Sequence, residues 1–106
     1  MVTPHARELA AGVGALSAST LKGLRRGIEK ESLRVRPDGT LSAAPHPPRL
    51  GSALTHPNVT TDFSEAQLEL ITGVHDSAAA CLAELTAIHQ VVYRAIGDEL
   101  LWCASM

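Results

Sequence analysis

Gly27-Ile28-Glu29-Lys30-Glu31-Ser32-Leu33-Arg34-Val35 is the stretch on which the reading of this 106-residue chain turns. Alternating polar and apolar residues predict a β-strand, and side chains two apart on a strand share a face. Glu29 and Glu31 therefore point the same way as Leu33 and Val35, whose apolar character marks that face as the core side. A second extended segment, Thr60-Thr61-Asp62-Phe63-Ser64-Glu65-Ala66-Gln67-Leu68-Glu69-Leu70-Ile71-Thr72, adds Asp62 and Glu69. Carboxylates on a core-like face need a partner, and a divalent cation suits oxygen ligands. Two same-face strand positions lie about 6.6 Å apart. At that separation two ionised carboxylates repel by roughly 2.5 kcal/mol at an effective dielectric of about 20. A cation reverses the sign of that energy; exposure to water relieves it. A metal site and a solvated sheet face of alternating Glu and Lys are the two readings of the pattern.

Outward from this stretch, the chain predicts one small domain over residues 1–106. With 45% hydrophobic and 19% charged residues it has the composition of a folding chain rather than a disordered one. Arg25, Arg26, Lys30, Arg34 and Arg36 form one basic run, but the net charge is -2 and the only aromatics are Phe63, Tyr93 and Trp102. That run lacks the interleaved aromatic rings of a single-strand nucleic-acid platform, so no nucleic-acid partner is expected. Cys81 and Cys103 lack CxxC spacing and read as reduced thiols of a cytoplasmic protein. No apolar run is long enough to span a membrane, and the N-terminus leads into no signal-peptide core.

Thr3-Pro4 predicts an N-cap and first helical position, opening a helix to about Leu16 whose buried side is Leu9, Val13 and Leu16. Ser17 to Thr20 ends that helix or links onward. The first strand spans about 24–35. Arg36-Pro37-Asp38-Gly39 predicts a tight turn into a short return at Thr40-Leu41. Pro45, Pro47 and Pro48 make 42–50 a loop, and 51–56 is ambiguous. The second strand spans about 64–72, with Ala66, Leu68 and Leu70 on one face and Glu65, Gln67 and Glu69 on the other. Asp76 or Ser77 caps a long C-terminal helix running to about Gly97 or Asp98. Its apolar stripe is Cys81, Leu85, Ile88, Val92 and Ala95, with Leu82 and Ile96 alongside. His89 flanks the stripe as a packing or solvent-facing residue. The fold class is α+β: an N-terminal helix, antiparallel strands and a long C-terminal helix. Two main strands are too few for a self-sufficient sheet, so helix packing or further strands must support it.

The same residues carry a family resemblance. Leu21 to Val35 with Asp38-Gly39-Thr40-Leu41, then Leu50-Gly51-Ser52-Ala53-Leu54-Thr55-His56 running into Thr60 to Thr72, then Gly97-Asp98-Glu99 with Trp102, Ser105 and Met106, resemble the start of bacterial glutamate–cysteine ligase of the proteobacterial type. The resemblance covers about residue 21 to the end. It implies part of a glutamine-synthetase-like catalytic fold, with a curved antiparallel sheet whose acidic residues hold Mg2+ or Mn2+ against ATP phosphates. It further implies L-glutamate, L-cysteine and ATP as substrates and γ-glutamylcysteine, in the first step of glutathione biosynthesis, as product. By this resemblance Glu29, Glu31, Asp62 and Glu69 match the family's acidic metal positions. Ile28 and Lys30 point away from that face and read as structural, while Thr60 and Thr61 shape the approach to Asp62. Leu100 and Cys103 depart from the family's usual arginine and proline. Because the family chain is much longer, the expectation is an N-terminal fragment, inactive alone and able to self-associate through exposed strand edges. A non-catalytic interaction module using the apolar faces of 64–72 and 78–96, or a bare metal-binding module, is the alternative.

Overall fold

Two-residue alternation and loop chemistry build an antiparallel sheet around one central strand pair. The computed structural model describes residues 1–105. Met106, the last residue of the expected domain and of the resembling blocks, lies outside the described residues. Helices α1 (Pro4–Gly14) and α2 (Ala18–Lys22) precede strand β1 (Glu29–Val35), followed by a 3-10 turn at Pro48–Leu50. Strands β2 (Val59–Thr60) and β3 (Gln67–Ile71), helix α3 (Ala78–Ala95) and strand β4 (Leu100–Leu101) complete the chain. The sheet order is β2-β3-β1-β4, with every neighbouring pair antiparallel. This is the α+β class expected.

Local chemistry explains most element ends. Thr3 Oγ1 accepts from the Ala6 N–H and Pro4 opens α1; Ser77 Oγ accepts from the Ala80 N–H and opens α3. At the turn after β1, the Gly39 N–H donates to the Arg36 carbonyl, and Gly39 takes φ +84°, a conformation that suits a residue without Cβ. Asp38 Oδ1 accepts from both the backbone and hydroxyl of Thr40 and braces the same turn. The expected return at Thr40-Leu41 reduces to a single bridge from Leu41 to Val35. Strand β1 begins at Glu29 rather than near residue 24, since only Arg26 bridges to His75 before it. Strand β3 begins at Gln67 rather than 64, because Ser64 accepts from the Gln67 N–H in a turn. Strands β2 and β4 were not expected; each spans two residues, too short for a periodic pattern to register.

Helix α3 lies across one face of the sheet. Cys81, Ile88 and Val92 are buried on its sheet-facing stripe, Leu85 and Ala95 pack half-buried beside them, and Ile96 follows. Ile88, Val92 and Ile96, with Leu85 and Ala95, close on Leu68 and Leu70 of β3, Val59 of β2 and Leu50 of the 3-10 turn. Leu82, expected alongside the stripe, is 60% exposed on the far side of the helix. The apolar faces of 64–72 and 78–96, offered above as a docking surface, are spent on each other. Leu68 is fully buried, so Leu68→Ala is expected to cost about 2–5 kcal/mol in a urea denaturation curve.

Two expectations about burial fail. Helix α1 buries nothing: Leu9, Val13 and Leu16 are 58%, 67% and 47% exposed. The radius of gyration is 18.4 Å, against about 13 Å for a compact chain of this length, in keeping with α1 standing off the body. The second failure concerns β1. Ser32 pairs with Leu68 and Lys30 with Leu70, so Lys30, Ser32 and Arg34 occupy the face under α3. Glu29 and Glu31 share the opposite face with Glu69 and Ile71; it is the open face, not the core side. Leu33 on that face is half-buried, and Val35 at its end is buried. Arg34 and Ser32 misled the reading because both are polar and yet buried, 1% and 0% exposed.

Candidate functional site

The acidic residues meet through strand register. Glu31 pairs directly with Glu69, and Glu69 pairs on its other side with Thr60. Thr60, Glu69 and Glu31 therefore form a row across β2, β3 and β1 on the open face, with Glu29 two residues further along β1. Asp62 follows β2 in the 61–66 loop. Directly opposed strand residues place their Cβ atoms about 4.5–5.5 Å apart, where like charges destabilise the pair. The electrostatics record that crowding. Glu69 is half-buried, and its carboxyl is held above the ordinary carboxylate value first by burial and then by Glu29, Glu31 and Asp62. Each of the other three carboxylates thus lies near enough to Glu69 to be felt.

No cation among the described residues pairs with these carboxylates. Among the described residues the ion pairs are Arg34–Glu99 and His75–Glu84, and none of the four carboxylates takes part. Lys30, next in sequence to two of them, points under α3 and donates from Nζ to Ser32 Oγ at 2.6 Å. Burial lowers its pKa, as it does that of His89, which stacks on Tyr93 with ring centroids 6.0 Å apart. His89 is thus a packing residue. Thr60 turns its hydroxyl to the Ala53 carbonyl at 2.7 Å and braces the 51–56 segment. The oxygen-only donor set with net negative charge fits a hard divalent cation. Among the described residues, however, no three His, Cys, Asp or Glu side chains lie close enough together to hold a metal ion as they stand.

The raised Glu69 pKa has a sign that can be measured. A carboxyl whose folded pKa lies above its unfolded value contributes stability below the unfolded pKa and loses it as pH rises through the folded one. Glu84 and Asp38 shift the other way, held down by the bond from His75 and the bonds from Thr40, so they oppose it. Comparing the metal-free chain with Glu69→Gln isolates the Glu69 contribution. The variant's melting temperature is expected to gain on the unaltered chain as pH rises above about 4.5 and then to level off.

The loops beside this face are tied down by residues that sequence reasoning passed over. Buried Arg34 donates from Nη1 to Glu99 Oε2 at 2.7 Å, and from Nη2 to the carbonyls of Ala44, Glu65 and Pro45 at 2.8, 2.8 and 3.1 Å. Ser42 Oγ–H donates to the other oxygen of Glu99. Gln67 is 1% exposed and accepts the Phe63 N–H through Oε1 at 3.1 Å. Arg34 sits inside the basic run, which made it look like one more solvated charge; only the distant Glu99, 65 residues away, marks it otherwise.

The fold that carries this acidic face is shared with known proteins. A family model described as glutamate-cysteine ligase matches residues 14–106, and the chain belongs to that family. A glutamate–cysteine ligase of Alcanivorax borkumensis is 57% identical over 90 residues, covering 85% of this chain and 17% of its own. One of Sodalis glossinidius is 55% identical over 86 residues, covering 81% of this chain and 16% of its own. Two solved structures are also similar. The Francisella tularensis glutamate–cysteine ligase in complex with AMP has a TM-score of 0.71 at 42% identity, over 73% of this chain and 16% of that one. A bifunctional glutathione synthetase from Pasteurella multocida has a TM-score of 0.70 at 40% identity, over 74% of this chain and 11% of that one. The chain thus spans about a sixth of the length of the curated relatives it matches. Helix α1 lies almost wholly before the family match.

Proposed function

We propose that the chain supplies the acidic metal-binding corner of an ATP-dependent glutamate–cysteine ligase, as one structural unit of its catalytic domain. Glu29, Glu31, Asp62 and Glu69 would hold Mg2+ or Mn2+, with L-glutamate, L-cysteine and ATP as substrates and γ-glutamylcysteine, the first intermediate of glutathione biosynthesis, as product. The observation that supports this reading is the uncompensated charge on the open face, where burial and then three neighbouring carboxylates raise the pKa of Glu69. Magnesium prefers one or two carboxylates and completes its shell with phosphate and water, so an open row of acids suits it better than a closed cage. When bound, the ion supplies positive charge against the phosphates of the nucleotide. The chain's own part is to present oxygen ligands from two rigid strands and one loop. The chain's setting is taken as cytoplasmic, with Cys81 and Cys103 both free thiols.

The test is a titration of the chain with Mn2+, following the free ion by electron paramagnetic resonance. Saturable uptake is expected, with Mg2+ competing; a free-ion signal that tracks total Mn2+ throughout would sink the reading. With ATP, Mg2+, glutamate and cysteine present, the chain alone is expected to release no ADP, since it covers only 17% of the relative's length. ADP release that depends on both amino acids would show that this part assembles a complete site. Strands β2 and β4 form the sheet edges and offer unpaired backbone groups, so self-association is expected. A single monomeric sedimentation boundary at high concentration would count against it.

A further inference from the structure

We propose that Arg34 is a positioning residue for Asp62, its buried guanidinium fixing the 61–66 loop on β1 so that the Asp62 carboxylate stands beside Glu69. The inference rests on the metal-site reading above. Asp62 makes no side-chain hydrogen bond among the described residues and is exposed, so its place is inherited from the loop that carries it. At the loop's entrance, Thr60 is paired with Glu69 in the sheet. At its exit Gln67 Oε1 accepts the Phe63 N–H, and Arg34 holds the next carbonyls. The Arg34 N–H donates to the Ala66 carbonyl at 2.7 Å and Nη2 donates to the Glu65 carbonyl at 2.8 Å. The same guanidinium is anchored on Glu99, at the junction of α3 and β4, and on the Ala44 and Pro45 carbonyls. Arg34 is 1% exposed, so its fork cannot swing away into water.

The geometry needs arginine. Its planar guanidinium presents five donors in a rigid fork, and here two nitrogens reach a carboxylate on one side and three carbonyls on the other. A lysine ammonium is a single point: it can stay with Glu99 or satisfy the Glu65 carbonyl, but cannot span both. Arg34→Lys therefore keeps the buried charge paired while removing the side-chain hold on the Glu65 carbonyl.

The experiment is a double-mutant cycle read by Mn2+ binding, with amide hydrogen exchange as a second readout. Arg34→Lys and Asp62→Asn are each expected to weaken Mn2+ binding about tenfold, as loss of supporting contacts around a metal commonly does. The double variant is expected to bind no more weakly than Asp62→Asn alone, because Arg34 acts through Asp62. Combined with Glu29→Gln instead, Arg34→Lys is expected to exert its full effect. Multiplying losses in the Arg34–Asp62 pair would overturn the proposal; a purely structural Arg34 would weaken every background alike. The Phe63 amide is expected to exchange at least about tenfold faster in Arg34→Lys, with the Leu68 and Leu70 amides unchanged. Unchanged exchange at Phe63 would overturn the proposal as well. If the unaltered chain binds no Mn2+, the metal reading falls and Phe63 exchange alone decides the positioning role. Should Arg34→Lys not fold, replacing Ala66 by lactic acid weakens the Glu65 carbonyl as an acceptor and leaves the Arg34–Glu99 pair untouched. The same cycle and exchange outcomes then apply to that ester.

Discussion

Glu29→Gln combined with Glu31→Gln is expected to abolish Mn2+ binding and leave the fold intact. In a full-length family member carrying the same pair, turnover is expected to fall at least about a thousandfold, since a metal's charge stabilisation is worth several kcal/mol and each 1.4 kcal/mol is a factor of ten. The structure explains why folding should survive. Both residues are exposed on the open face, away from α3 and its core. Neither is held by an ion pair among the described residues. Glutamine is nearly isosteric and removes two of the three charges that add to burial in raising the Glu69 carboxyl, so the metal-free double variant should melt no lower than the unaltered chain. Retained Mn2+ binding or full turnover would remove these two residues from the site. A collapse of the circular dichroism signal would show instead that they hold the sheet together.

The second large effect lies on the other face. Glu99→Ala leaves the Arg34 guanidinium buried with no counter-charge, and removing one partner of such a pair costs about 3–5 kcal/mol. A small domain has only about 5–15 kcal/mol to lose. In a chain of this size each kcal/mol shifts the midpoint by about 4–8 °C, so a fall of roughly 12 °C or more is expected in a thermal melt. Ser42 loses its acceptor at the same time, and the Arg34 Nε, already without a partner, gains none. The hydrogen-bonded contact between His75 and Glu84 is the built-in control. Its side chains are 26% and 33% exposed, so Glu84→Ala should move the midpoint far less. Equal shifts in the two variants would mean that burial is not what gives the Arg34–Glu99 pair its weight.

These two faces also show what could be read in advance. The long helix was legible because its stripe runs over five turns: Cys81, Ile88 and Val92 are buried where a 3.6-residue period puts them. Leu68 and Leu70 were legible by strand alternation, as were the capping residues and the turn at Gly39. The four carboxylates could be singled out by type and by family likeness, and the register brings Glu31 and Glu69 opposite each other. The side of the sheet they occupy was not legible. Leu33 and Val35 argued for a core face, but orientation was decided by a buried arginine whose partner lies 65 residues away, beyond the reach of any local pattern. Helix α1 failed for the converse reason: its spacing is amphipathic, yet periodicity records that a face is apolar and not that anything covers it. The two short strands fell below the length at which alternation carries a signal.

The position of β1 in the sheet has a consequence for synthesis. Both its neighbours, β3 and β4, follow it in the chain, as does the helix that covers it. Glu31 must wait for Glu69, and Arg34 for Leu101, before the central strand is paired on both sides. Until then β1 presents two unpaired edges in a growing chain, the condition in which strands engage wrong partners. Its sequence meets that hazard with charge. Glu29, Lys30, Glu31 and Arg34 alternate in sign along a strand of seven residues, which keeps the nascent segment hydrated and ill-suited to stacking on copies of itself. The acidic residues assigned here to a cation would thus also serve as gatekeepers before the sheet exists.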